Sequence, residues 1–138
     1  MNHTLVSLIR RAHKAVDAIY TEEAPDGIPL PQVMVLGALV NGGKMCQTNL
    51  VDAGAIDRSS LSEMIKRMET AGLIARQRAV TDKRKLTVSI TPDGRKAYRA
   101  AMFVIQRTER RIDAGLNATA QNAIGPILTR IAEMETRA

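Results

Sequence analysis

The sequence contains no tryptophan, and its only aromatic residues are Tyr20, Tyr98 and Phe103. Any core it forms must therefore be aliphatic, with seven methionines as adaptable filler. Cysteine is nearly absent, and the lone Cys46 excludes an internal disulfide. No apolar run approaches the roughly 18 residues needed to span a bilayer. The first eighteen residues alternate polar and apolar types, unlike a secretory signal. Histidine is limited to His3 and His13, and no cysteine or carboxylate cluster joins them at ligand spacing, so no metal is expected. Gly42-Gly43-Lys44 imitates a phosphate loop, but Ala38 and Met45 stand where the first glycine and the hydroxyl residue belong. No nucleophile, base and acid form a set. These absences lead us to expect no catalytic residues, no cofactor and no membrane partner, in a soluble cytoplasmic chain.

The chain has 138 residues, 45% of them hydrophobic, which suits one packed domain rather than two. Its formal charge of +6 is unevenly placed. Between Arg58 and Arg99 eleven basic residues face four acidic ones, a surplus of seven. The remainder carries nine basic and ten acidic residues. One segment thus holds the whole excess, as expected of a surface that binds a polyanion, although a merely soluble basic face would look the same.

Hydrophobic periodicity divides the chain into elements. Leu5, Leu8, Ile9, Ala12, Val16 and Ile19 predict an amphipathic helix over 4–20. Residues 23–31 hold three prolines and a glycine and read as a loop. A nearly all-apolar helix over 31–40 follows, begun by Pro31 and stopped by Asn41-Gly42-Gly43. Residues 44–46 form an extended link, and 48–54 a short helix with Leu50, Val51 and Ala53 inward. Asp57 is a candidate cap for the next helix, with Ser60 and Glu63 as a competing capping box. Leu61, Met64, Ile65 and Met68 form that helix's inner face, and Gly72 ends it. The period then changes. Residues 73–79 and 86–91 alternate and read as two strands, with Arg76 and Arg78 set against Ile74 and Gln77. A charged loop, 80–85, joins them. Thr91 and Pro92 open a long helix to about Ala114, and Gly115-Leu116-Asn117 separates it from a final helix striped by Ile124, Ile127, Leu128, Ile131 and Met134.

Two short helices joined by a glycine-containing turn and followed by a basic two-stranded ribbon make a winged helix-turn-helix. The fold class is mainly α with a small antiparallel β-wing. The DNA major groove admits one helix, which must bury its far side and present short or hydrogen-bonding groups outward. Ser59, Ser60, Ser62, Glu63, Lys66 and Arg67 meet that need. Arg58 or Arg67 can reach guanine, and Lys66 phosphate or base. Glu63 can accept from a cytosine amine or pair with Arg67. Gln47 and Thr48 suit phosphate at a helix N-terminus. Arg76, Arg78, Lys83, Arg84 and Lys85 suit the backbone or the minor groove.

The stretch 56–98, IDRSSLSEMIKRMETAGLIARQRAVTDKRKLTVSITPDGRKAY, resembles the multiple-antibiotic-resistance regulator (MarR) family. The shared features are Asp57-Arg58-Ser59, Gly72-Leu73, Asp82-Lys83-Arg84 and Thr91-Pro92-Asp93-Gly94-Arg95, with Gln47-Thr48-Asn49-Leu50 matching the family's third helix. The resemblance implies a single domain over 1–138, with 30–99 as the winged helix-turn-helix and 1–22 and 100–138 as dimerisation helices. It implies a homodimeric transcriptional regulator, a repressor, that sets two recognition helices in successive major grooves of duplex DNA at an inverted repeat. Arg84 is carried over as the minor-groove contact and Asp82 as the wing's support. The family's peroxide sensors keep their reactive cysteine in the first helix, where this chain has none, so Cys46 reads as a packed small residue.

Many members release DNA when a small aromatic or lipophilic anion binds near the dimer interface. Such a pocket here would be walled by the first, second and fifth helices and lined by Ile9, His13, Val35, Leu39, Met102 and Ile105, with Arg10, Arg11 or His13 at its mouth. Two alternatives stay open: a constitutive or accessory DNA-binding protein without effector, and a winged-helix protein-interaction module that binds no DNA.

Overall fold

The structure is a computed structural model and describes residues 3–54, 57–78, 81 and 85–134. Its elements run α1 (Leu5–Glu23), α2 (Leu30–Gly42), β1 (Met45–Cys46), α3 (Gln47–Gly54), α4 (Arg58–Thr70), β2 (Ile74–Arg78), β3 (Leu86–Ile90), α5 (Pro92–Ala114) and α6 (Ala118–Ala132). This is the mainly helical, winged arrangement the sequence predicts.

The apolar helix α2 forms the centre. Val35, Leu36 and Leu39 are fully buried against Leu50 of α3, Leu61, Ile65 and Met68 of α4, and Leu73, Ile74 and Val88 of the wing. Gly43 ends the helix at φ 73°, a left-handed conformation that favours glycine, and its N–H bonds the Leu39 carbonyl. A smaller cluster joins Tyr20 of α1, Val33 of α2 and Ala101 of α5. The Tyr20 hydroxyl donates to the Ile28 carbonyl at 2.9 Å, so this buried phenol has a partner.

Some sequence expectations change. The link at 44–46 contains a strand: Met45 pairs with Val88 and Cys46 with Thr87, giving an antiparallel sheet ordered β1-β3-β2. Ala53 is exposed, and the buried Leu50 with the half-buried Val51 seats α3. In β2, Ile74 lies on the same face as Arg76 and Arg78, because strand side chains repeat every two residues. Arg76 therefore sits opposite the fully buried Val88, on the core side of the sheet.

The start of α5 locks onto the corner between α4 and β2. Thr91 caps α5 by accepting from the Gly94 N–H at 3.0 Å, and its hydroxyl donates to the Gly72 carbonyl at 2.6 Å. The Thr91 N–H bonds the Leu73 carbonyl at 3.1 Å. At its far end α5 meets α1 through ions: Arg107 pairs with Glu23, and Arg111 with Glu22 and Glu23. The first helix thus extends three residues past its predicted end. By contrast, α6 has no buried residue, and only Tyr20 of α1 is buried. Among the described residues no helix is long and apolar enough to cross a membrane.

Candidate nucleic-acid interface

Helix α4 has two unlike faces. Leu61, Ile65 and Met68 are at most 1% exposed and hold it on the core. Arg58, Ser59, Ser60, Ser62, Glu63, Lys66, Arg67 and Thr70 are all exposed. Ser59, Ser62, Glu63, Lys66 and Thr70 follow helical spacing, so they form one stripe. Asp57 stands at the N-cap, but its side chain makes no capping bond, and Ser60 lies inside the first turn rather than at a competing cap. The Ser60 N–H bonds the Asp57 carbonyl at 3.1 Å, and the helix end carries partial positive charge.

The second element of the site is the N-terminus of α3. Gln47 is its first residue, and its side-chain amide donates to the Ser62 hydroxyl at 3.2 Å. This bond ties α3 to the outward stripe of α4. Thr48 is exposed beside it. A cleft of about 430 Å³ brings Gln47 and Thr48 together with Cys46, Asn49, Lys85 and Leu86. The base of the wing and the start of α3 therefore share one surface.

On the wing, Arg78 and Lys85 are exposed on either side of the strand pair Arg78–Leu86. Arg76 is placed differently from the open basic residue the sequence suggests. Its guanidinium donates to the Glu69 carboxylate at 2.9 Å, and its side chain is 26% exposed. The hydrogen bond from Arg76 holds the Glu69 carboxyl below its usual value and raises that of Arg76. Asp82, Lys83 and Arg84 lie outside the described residues. Sequence reasoning missed Lys44, next to β1, whose ammonium donates to the Gln77 side chain of β2 at 3.2 Å across the middle strand β3. A lysine abutting the first strand was the available signal.

The six pocket residues are not gathered around one cavity. Val35 and Leu39 are sealed in the core, at 0% and 1% exposure. Met102 is half-buried, and Ile105 packs on the Tyr20 cluster. Ile9 and His13 instead open on a groove of about 610 Å³ between α1, α5 and α6, with Ala12, Val16, Ile112, Ile124 and Leu128. Its polar groups are His13, Glu109 and Asp113. Arg10 and Arg11 lie over a second, shallow depression on α1 that Ile9 and His13 also line.

This geometry has counterparts among known proteins. A model of the MarR family matches residues 26–85, from the loop before α2 to the wing. The transcriptional regulator HosA of Escherichia coli O111:H- is 32% identical over 94 residues, covering 68% of this chain and 69% of HosA. The solved structure of Bordetella bronchiseptica BpsR, whose DNA binding is regulated by 6-hydroxynicotinic acid, superposes with a TM-score of 0.86 at 29% identity, over 94% of this chain and 99% of that one. The transcriptional repressor CouR, solved on a 23-mer DNA duplex, gives 0.84 at 25% identity, over 94% and 92%. By its sequence and by the shape of its fold, the chain belongs to the MarR family.

Proposed function

We propose that the protein is a homodimeric transcriptional repressor that binds duplex DNA and is released by a small aromatic or lipophilic acid. The observation that carries DNA binding is the two-faced α4, with eight exposed polar residues over a sealed apolar back, flanked by the basic wing. In this reading Ser59, Ser62, Glu63 and Arg67 meet base edges, while Arg58, Ser60, Lys66, Gln47 and Thr48 meet bases or phosphates. Arg78, Lys83, Arg84 and Lys85 follow the backbone into the minor groove, with Asp82 supporting the wing. The α4 stripe and the α3 end are continuous through the Gln47–Ser62 bond, as a single docking surface requires.

The dimer reading rests on the ends of the chain. Leu5, Val6, Leu8 and Ile9 of α1, Ile124, Ile127, Leu128 and Ile131 of α6, and Met134 just beyond α6, are exposed on the protomer. Residues 1–22 and 100–138 would form the dimer body and 30–99 the reading unit, in a cytoplasmic protein. Regulation by an acid is supported by BpsR, an effector-responsive relative. A second reading, binding without effector, is favoured by one feature: Val35 and Leu39 fill the space where the expected pocket wall would stand.

The deciding experiment is selection of bound fragments from genomic DNA, followed by titration of aromatic and fatty acids against the recovered site. An inverted repeat with half-sites about one helical turn apart supports the repressor reading. Absence of any enriched fragment would favour a protein-interaction module. An acid that raises the melting temperature but leaves affinity unchanged binds without regulating, since equal affinity for both states shifts nothing.

A further inference from the structure

We propose that the Glu69–Arg76 ion pair is a positioning clamp that fixes the angle between the reading helix and the wing. Arg76, although basic and on a wing strand, is then not a phosphate contact. The proposal rests on the DNA-binding reading above.

Helix α4 and strand β2 meet at a corner turned by Gly72, at φ 79°. Backbone bonds from Gly72 to Glu69 and from Leu73 to Met68, each 3.0 Å, set the turn itself. The Thr91 hydroxyl attaches α5 to it. The ion pair does something different: it joins a side chain near the end of the reading helix to the third residue of β2. Arg76 shares its face of β2 with the buried Ile74, opposite the buried Val88, and its side chain is held at the Glu69 carboxylate at 2.9 Å. Glu69 is 39% exposed and accepts a charge-assisted bond in return.

A guanidinium so engaged is poorly placed to reach phosphate, whereas Lys66, Arg67 and Lys85 are exposed. The pair is also neutral overall, so it releases no counterions when DNA binds. Its contribution to affinity must come through geometry. Helix and wing contact one duplex simultaneously, and a corner already set in the free protein avoids the ordering cost at binding.

The test uses the full chain and a fluorescent fragment recovered from the genomic selection, titrated at several salt concentrations. Glu69→Gln and Arg76→Gln should each weaken binding about three- to fivefold. The slope of log affinity against log salt should stay unchanged. The double variant should be no weaker than either single one, and the exchange Glu69→Arg with Arg76→Glu should recover most of the loss. A slope shallower by about one unit for Arg76→Gln, with tighter binding for Glu69→Gln, would overturn the clamp and make Arg76 a phosphate contact. A DNA-free arm separates the two readings. Nitroxides on Ser59→Cys and Gln77→Cys, in a Cys46→Ser background diluted with unlabelled chain, report the corner by pulsed dipolar spectroscopy. Arg76→Gln should broaden or shift that distance distribution, and an unchanged distribution refutes the clamp. Broadening in a chain that binds no fragment would sustain the clamp and sink only the DNA reading.

Discussion

Replacing Gly94 by alanine tests how α5 is locked to the reading unit. A Cβ at this buried position would overlap the Leu73 carbonyl oxygen and lie 2.8 Å from Ile90 Cγ1 and 3.0 Å from the Leu73 carbonyl carbon. The oxygen cannot move freely, because it accepts the Thr91 N–H. Relief requires lifting the first turn of α5, which stretches both Thr91 bonds to the corner. Overpacking of this kind costs about 1–3 kcal/mol, and weakening a hydrogen bond about 1 kcal/mol more. Alanine's better helix propensity returns about 1 kcal/mol. The net loss is about 1–3 kcal/mol. With an unfolding entropy of about 2.1 cal/mol/K per residue, a chain of 138 residues should melt about 3–10 °C lower. Thermal unfolding followed by circular dichroism at one fixed protein concentration measures it, since a dimer's midpoint depends on concentration. Gly115→Ala is the control: its Cβ would meet only the Ile112 carbonyl oxygen, at an ordinary 3.5 Å. If Gly94→Ala melts within about 2 °C of the parent, the close packing of α5 on Leu73 is not what holds the corner.

In the reading head, Ser62→Ala and Arg67→Ala should relax preference at particular base pairs, each worth about 1–3 kcal/mol, whereas Lys66→Ala should weaken all sequences alike. Unaltered sequence preference in all three, measured by competition with mutated sites, would mean that a different face reads the bases. Changing Lys83, Arg84 and Lys85 to glutamine should make the salt slope shallower by about one unit per lost phosphate contact without changing the melting temperature. The lowered pKa of Glu69 carries a pH dependence of definite sign. A depressed folded value stabilises above the unfolded value, about 4.3, and that stability is lost as pH falls through the folded one. Acid unfolding curves of Glu69→Gln should lack this contribution; identical curves would argue against the pair in solution. Deleting residues 118–138 should abolish the dimer and cause aggregation or loss of DNA binding, and a soluble DNA-binding monomer by sedimentation would refute the role given to α6.

The order of elements was legible because the hydrophobic period changes where the structure changes. Leu61, Ile65 and Met68 recur at helical spacing and are buried, and alternation begins after Gly72, where β2 starts. What escaped depends on distant partners. Two residues, Met45 and Cys46, show no period, and only pairing with Val88 and Thr87 makes them a strand. The last turn of α1 looked like loop because Glu22 and Glu23 are polar; Arg107 and Arg111, more than eighty residues away, hold them. Helix α2 is apolar all round, so periodicity could not say which side would border a cavity. Its Val35 and Leu39 proved to be core. Arg76 was the most informative error. It shares parity with Ile74, so a charge there implied a partner on the core side, and Glu69, seven residues earlier, supplies it.

The state of α6 bears on how many copies make the functional unit. It has fifteen residues, with Pro126 inside, and none is buried. Asn117 caps it by accepting from the Ala120 N–H at 2.8 Å, and Gln121 donates to the carbonyls of Asp113 and Leu116 in the preceding turn. These contacts are local and fix only its start. Isolated helices of this length are marginal in water, and an interior proline removes a hydrogen bond and strains the preceding turn. The stripe Ile124, Ile127, Leu128, Ile131 therefore needs cover that its own protomer does not supply. Helix α1 has the matching deficit along Leu5, Val6, Leu8 and Ile9, and the groove between them is lined by both. A second copy brings the same two stripes again, so a twofold arrangement covers both with one interface. That interface would join the helices that carry α5, and α5 is locked through Thr91 and Gly94 to the corner of α4 and the wing. A change of angle between protomers then moves two reading heads apart without deforming either, which is how a ligand held between α1, α5 and α6 would act on DNA binding at a distance.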